Sequence, residues 1–159
     1  MANEGLMLDQ VKAGDEIPEL HYDCTPTTVV FGAVATRDLR PMHHDKVFAQ
    51  ERNGVRDVFL NTPNLAHWFE RYITDWTGPK GRPGRMMFKM RGSVCAGDHM
   101  VFKGKVNDVS TDDKGCGWVG IDVAVQVEGE TKTVCSARFA VPKDASDNPW
   151  KRKGDDWQP

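Results

Sequence analysis

Thr62-Pro63-Asn64-Leu65-Ala66-His67-Trp68-Phe69-Glu70-Arg71-Tyr72-Ile73-Thr74-Asp75-Trp76-Thr77 is the stretch that settles how this chain folds. Its bulky apolar residues are Leu65, Trp68, Phe69, Tyr72, Ile73 and Trp76, at offsets 0, 3, 4, 7, 8 and 11. Only an α-helix brings those positions onto one face. Thr62 and Pro63 read as a cap and a first-turn proline, and Gly78-Pro79 stops the helix. A stripe this broad needs a wide apolar surface to lie on.

The residues that follow supply one. From 84 to 142 the hydrophobic period changes to two. Met86, Phe88 and Met90 alternate with Met87 and Lys89, and Val101 to Val109 form a second, less cleanly alternating segment. Val119, Ile121, Val123, Val125 and Val127 alternate without a break, and so do Cys135, Ala137, Phe139 and Val141. Gly97-Asp98, Asp112-Asp113-Lys114-Gly115 and Glu128-Gly129-Glu130 read as turns, which makes an antiparallel meander. The pattern predicts an α+β fold, a long helix at about 62–77 followed by an antiparallel meander.

Upstream, residues 1–19 read as an irregular lead-in broken at Gly14-Asp15 and Pro18. Thr25 caps a helix that starts at Pro26 and gathers Val29, Val30, Ala33 and Val34 on one face, although the β-branched run Thr27 to Val30 also suits a strand. A short helix is expected from His44 to Arg52, closed by Asn53-Gly54 and capped or packed by His44. Residues 143–159 read as a polar tail with Trp150 and Trp157 isolated in it. One domain, 20–142, lies between lead-in and tail.

Composition bounds the function. Apolar residues make up 39% and charged residues 28%, the balance of a globular domain. With 21 basic against 23 acidic residues the net charge is −2, which gives nucleic acid no general hold on the chain. No apolar run is long enough to span a bilayer, and Met1 to Gly5 lack the blocks of a signal peptide, so a cytoplasmic protein is expected. Cys24, Cys95, Cys116 and Cys135 form no close pair, so they read as reduced thiols rather than a zinc site.

The chemistry sits in Ala35-Thr36-Arg37-Asp38-Leu39-Arg40-Pro41-Met42-His43-His44-Asp45. Pro41 fixes its own φ and pushes Arg40 toward extended geometry. A turn of that kind aims Asp38 and His43 into one space, and a carboxylate beside an imidazole can move protons to and from water near neutral pH. The bland alternative for Asp38 is a turn or cap residue. His43, His44 and Asp45 are adjacent and their side chains diverge, so no metal is expected.

The pattern Asp-x-x-Pro-x-His resembles the hydratase motif of the MaoC-like enoyl-CoA hydratases, which have the hot-dog fold. That resemblance implies a curved antiparallel sheet wrapped around one long central helix, and the helix at about 62–77 followed by a meander agrees with it. The resemblance extends through Asp57-Val58-Phe59-Leu60-Asn61 and Arg71-Tyr72-Ile73-Thr74-Asp75-Trp76-Thr77-Gly78-Pro79. With these, residues of about 20–110 look like the small-subunit branch of the actinobacterial steroid-CoA hydratases. The resemblance implies that Asp38 and His43 hold and activate a water that adds to an enoyl thioester. It implies no cofactor beyond the CoA of the substrate. It also implies a dimer of hot-dogs, either two copies of this chain or a hetero-oligomer with a second MaoC-like subunit.

Arg40 stands where the motif usually has Asn. It either lowers the Asp38 pKa and contacts substrate, or pairs elsewhere, or is a solvated surface residue. The oxyanion of such a reaction needs a donor. The N-terminus of the 62–77 helix offers one, with Asn64 and Leu65 as candidates by position. Within the basic run Lys80, Arg82, Arg85, Lys89 and Arg91, Arg82 and Arg85 are the candidates for CoA phosphate, because Gly81, Pro83 and Gly84 read as a mobile loop. Small residues at Gly32, Ala33, Ala35 and Ala66 would leave room for a bulky acyl group. Two other functions remain open at this level. A hot-dog thioesterase would use Glu70 or Asp75, and a non-catalytic subunit would serve only to stabilise a partner.

Overall fold

The computed structural model describes residues 5–159. Strands β1 (Glu16–Cys24), β2 (Arg82–Met90), β3 (Asp98–Thr111), β4 (Gly117–Val127) and β5 (Glu130–Val141) form one antiparallel sheet in the order β1-β3-β4-β5-β2. Helices α1 (Pro26–Ala35) and α2 (Lys46–Asn53) precede the long α3 (Thr62–Thr77). Each of the four strand pairings carries a register shift, for instance between Ile17 and Leu20 or between Val106 and Asp108. Such bulges bend strands and raise their twist, which lets the sheet fold about α3. This is the α+β hot-dog arrangement.

The meander holds for β3, β4 and β5 only. Glu128 and Gly129, with φ of 52° and 81°, make the tight β4–β5 turn. β2 does not neighbour β3; it pairs with β5 at the far edge, and β1 flanks β3 instead. Alternation fixes which face a side chain takes and says nothing about which strand lies alongside. The lead-in also differs from expectation. Its residues 1–4 lie outside the described residues, Leu8–Gln10 form a 3-10 turn, and the sheet already begins at Glu16. Pro18 sits within the bulge on that edge strand, where its missing N–H is tolerated.

The core lies between α3 and the inner face of the sheet. Leu65, Phe69 and Ile73 are fully buried, Trp68 and Tyr72 nearly so, and Trp76 is half-buried at the margin. Phe102 of β3 is the centre, with ring centroids 6.0 Å from Trp68, 6.0 Å from Phe69 and 5.7 Å from Tyr72. Each large side chain buried this way contributes about 1.5–3 kcal/mol over leaving it in water. All four cysteines are free and buried. Burial pushes the Cys24 and Cys135 thiols up to about 12, so they behave as small apolar residues rather than nucleophiles. On α1, Val29 and Ala33 are buried, Val30 is half-buried, and Val34 and Phe31 face outward. The expected single apolar face is therefore split.

The polar tail is packed on the sheet, and its two tryptophans are not isolated. Trp118 of β4 points away from α3, yet it is fully buried, because Trp157 stacks on it at 5.0 Å. The Arg82 guanidinium lies 3.5 Å from the Trp157 ring centroid and 5.5 Å from that of Trp150. Its Nη1 donates to the carbonyls of Pro149 and Arg152 at 3.0 and 2.9 Å. Cys116 and Ala140 complete this second, smaller core on the outer face. Two tryptophans in a charged, proline- and glycine-broken tail form no apolar stripe, so only the fold reveals their use.

One contact controls how closely α3 seats. A Cβ at Gly104 would fall 2.9 Å from Tyr72 Cε1 and 3.0 Å from Ile17 Cδ1, and the Tyr72 hydroxyl, donating to Ile17 O at 3.2 Å, holds the ring there. Gly104→Ala is expected to destabilise the protein by about 1–3 kcal/mol through overpacking. Urea unfolding should show a lower midpoint at an unchanged slope; an unchanged midpoint would refute this tight seating.

Candidate active site

Asp38 owes its position to the end of α1. The Asp38 N–H donates to Ala33 O at 2.9 Å and the Arg37 N–H to Val34 O at 3.1 Å. This is the paired bonding of a left-handed helix C-cap. Arg37 takes the left-handed residue of that cap, φ 56°, where glycine is usual. Thr36 closes the last turn with its hydroxyl, donating to Gly32 O at 2.8 Å. The chain then runs through Arg40, which is extended as Pro41 requires, into a 3-10 turn over Pro41–His43. The pair is therefore aimed by two devices, the left-handed cap and the proline. Sequence reading found only the second.

His43 is buried, 2% exposed, with its ring edge-on to Phe59. Its Nδ1 lies 2.8 Å from Phe59 O. A carbonyl only accepts, so Nδ1 carries the proton and Nε2 keeps its lone pair. Nε2 is 3.4 Å from Asp38 Oδ2 and has no hydrogen-bond partner among the described residues. It is a basic nitrogen facing a carboxylate.

Asp38 is gripped from other sides as well. Arg40 donates through Nε to Oδ1 at 3.0 Å and through Nη2 to Oδ2 at 3.4 Å, and Asn61 Nδ2 donates to Oδ2 at 3.1 Å. The Arg40 guanidinium above all, then the Asn61 amide and the nearby imidazole, hold the Asp38 carboxyl down to about 2, against partial desolvation that pushes the other way. At neutral pH this carboxylate is ionised and a weak base. It can orient a water and steady an imidazolium. His43 Nε2 is the neighbouring group that faces it.

Several expected roles move. Asn61, not Thr62, caps α3, and its Oδ1 accepts from the Asn64 N–H at 3.1 Å. The Leu65 N–H donates to Asn61 O at 3.1 Å. Both oxyanion candidates, Asn64 and Leu65, thus have their N–H groups committed to the cap. Asp45, not His44, caps α2, accepting from Phe48 N at 3.0 Å. Arg82 belongs to β2 rather than to a mobile loop, and its guanidinium clamps the tail, which removes it as a phosphate ligand. Arg85, on the same strand and exposed, donates to Pro159 O at 3.3 Å. The space beside Gly32 is filled by Asn64, whose Nδ2 would be 1.8 Å from an added Cβ, and Ala33 is buried in the core, so neither makes room for an acyl group. Asp75 pairs with Arg71 on the surface.

Asn61, which sequence reasoning left out of the site, is brought against Asp38 by the fold. Its signal was its place just before Thr62-Pro63. Among the described residues no group of three or more His, Cys, Asp or Glu side chains converges as a metal shell would. A groove of about 770 Å³ crosses the strands beside Met87, Lys103, Asp122 and Ser136, and neither Asp38 nor His43 lines it. The dyad geometry, not cavity size, marks the site.

Removing the first cause of the Asp38 shift tests this picture. In Arg40→Ala the Asp38 titration, followed by carboxyl ¹³C NMR, is expected to move up from about 2 toward the ordinary carboxylate range. The folded value lies below the unfolded one. Asp38 ionisation therefore stabilises the fold above pH about 4, and that contribution is lost as pH falls through about 2. The variant should lose less stability on acidification. Because Arg40 is 67% exposed, high salt should shrink the difference. An unmoved titration would show that Arg40 does not hold Asp38 in solution.

No protein-family model matches the chain. The 3-oxo-4,17-pregnadiene-20-carboxyl-CoA hydratase beta subunit of Mycobacterium tuberculosis is 34% identical over 97 residues, which cover 61% of this chain and 74% of that protein. A chain of the ChsH1-ChsH2 complex from Mycobacterium tuberculosis superposes with a TM-score of 0.74 at 25% identity, covering 82% of this chain and 98% of that one. A MaoC-like dehydratase from Rhodospirillum rubrum gives a TM-score of 0.77 at 15% identity, with 88% and 99% covered, a likeness of fold alone. The match to the hydratase beta subunit spans most of that protein and joins a fold and a dyad already in view: this chain belongs to the MaoC-like hydratases of the hot-dog fold.

Proposed function

We propose that this chain is an enoyl-CoA hydratase subunit that adds water reversibly to a bulky, steroid-like 2-enoyl-CoA, together with a second MaoC-like subunit. The observation that carries the reading is the dyad, with buried His43 Nε2 3.4 Å from Asp38 Oδ2 and its other nitrogen fixed on Phe59 O. A water bound between the two gives its proton to His43 as its oxygen bonds Cβ. The C=C electron pair shifts to Cα and the thioester oxygen. His43 then returns a proton to Cα, so one water is added and both residues are restored. Asp38 stays ionised throughout. CoA belongs to the substrate, and the reaction needs no other cofactor.

The bulky acyl group and the partner rest on other support. The hydratase beta subunit described above is named for a pregnadiene-carboxyl-CoA, and the ChsH structure is of a complex. In this chain Phe31 and Val34 on α1, Leu39 beside Asp38, and Val47 on α2 are exposed apolar residues on the elements that flank the dyad. A rigid ring system or a partner chain that buried them would gain roughly 25 cal/mol per Å² before binding costs. β1 and β2 are open sheet edges that a second hot-dog would cover. No helix among the described residues is long and apolar enough to cross a membrane. We place the reaction in the cytoplasm, where CoA thioesters and reduced thiols coexist.

Asp38→Asn and His43→Ala are each expected to lower hydration by about 10²–10⁴-fold with the fold intact. Near-wild-type turnover by either folded variant would remove the dyad from the chemistry. With and without a co-expressed second MaoC-like subunit, kcat/KM for a steroid enoyl-CoA should exceed that for crotonyl-CoA. Equal efficiency on both substrates would defeat the steroid part of the reading, and full activity of a monomer in sedimentation would defeat the partner.

A further inference from the structure

We infer that Asn61 is a positioning residue of this site: its carboxamide sets the direction of Asp38 and ties that carboxylate to the first turn of α3. The inference rests on the hydration reading above. Asn61 is 3% exposed, and every arm of its amide is engaged. Nδ2 donates to Thr36 Oγ1 at 2.7 Å and to Asp38 Oδ2 at 3.1 Å, while Oδ1 accepts from Asn64 N–H at 3.1 Å. Turning the amide over would set oxygen against carboxylate and N–H against N–H, so the neighbours fix its orientation.

The bond to Asp38 falls on Oδ2, the oxygen that faces His43 Nε2. Arg40 takes Oδ1 at its shorter contact. The two donors therefore divide the work. Arg40 is exposed and long, and it supplies charge. Asn61 is buried, short and anchored at both ends, and it supplies direction. Thr36 Oγ1 spends its own proton on Gly32 O, which leaves it an acceptor for Asn61. Asn61 thus joins the C-cap of α1, the N-cap of α3 and the catalytic carboxylate. A small rotation of Asp38 about its own side chain would carry Oδ2 away from the water and the imidazole. Misplacement on that scale can cost about 10²-fold in rate.

Two substitutions separate positioning from helix capping. Ser and Asp both keep an oxygen able to cap the Asn64 N–H, so α3 should persist. Asn61→Ser removes the amide N–H that bonds Asp38 and leaves one shorter hydroxyl, held at the Asn64 cap. Asn61→Asp loses that N–H too and places a second carboxylate against the first, beside the Arg40 guanidinium and the His43 imidazole that already face Asp38. For both variants we expect a wild-type circular dichroism spectrum, KM within a few-fold and kcat lower by about 10–100-fold. For Asn61→Asp the acid limb of the kcat profile should also shift to higher pH, because like charges this close do not ionise together. Asp38 titration by carboxyl ¹³C NMR, which needs no substrate, should rise clear of the wild-type value in Asn61→Asp. If one variant does not fold, the other decides the matter. Wild-type kcat in a folded variant, or kcat and KM falling in step with melting temperature while Asp38 titrates as in wild type, would overturn the inference. If the wild-type protein hydrates no enoyl-CoA, the hydration reading fails, and the NMR titration still decides whether Asn61 governs Asp38.

Discussion

The aromatic face of α3 lies against Phe102, and its depth there is set at Gly104, where only a hydrogen fits beneath Tyr72. Most of the molecule hangs on that seating. It buries the residues that make the sheet and helix a single core. It also fixes where the first turn of α3 emerges, and with it Asn61. Because Asn61 bonds both the helix N-terminus and Asp38, that carboxylate takes its bearing from the core and not from its own loop alone. His43 is tied in a similar way, through Phe59 O in the segment that leads into α3. A close-packed interior transmits a sub-ångström fit over such distances.

Electrostatics decides the division of labour at the site. Arg in the motif position of Asn adds a fixed positive charge to the carboxylate and keeps it ionised across the physiological range. An Asp so stabilised makes a poor proton acceptor. The imidazole, with Nδ1 pinned on the Phe59 carbonyl, presents Nε2 to that carboxylate. The departure from the motif therefore sharpens the roles of the two residues without separating them.

The outer face of the sheet tells a second story. Near Trp118 it is covered by the chain's own tail, through Trp157 and the Arg82 clamp, while the half nearer Lys103, Asp122 and Ser136 stays open. Arginine serves here as a flat ring partner and double donor to backbone carbonyls, a use its fixed charge and planar fork permit. The same residue type thus does structural work at Arg82 and electrostatic work at Arg40, and burial of the neighbouring groups, not the side chain itself, separates the two.

The sequence by itself determined the long helix, the face each strand turns inward, the Asp38–His43 pair and the family, because each is written in local periods and short spacings. Tertiary structure decided what local pattern cannot encode. It placed β2 beside β5, because alternation carries no information about neighbours. It committed the Asn64 and Leu65 N–H groups to a cap at Asn61, since a cap one residue earlier changes which donors remain. It turned Arg82 from a ligand candidate into a clamp, and brought Trp150 and Trp157 to it across more than sixty residues. And it joined Asn61 to Asp38, a pair 23 positions apart whose meeting depends on how α1 and α3 pack rather than on anything either segment carries alone.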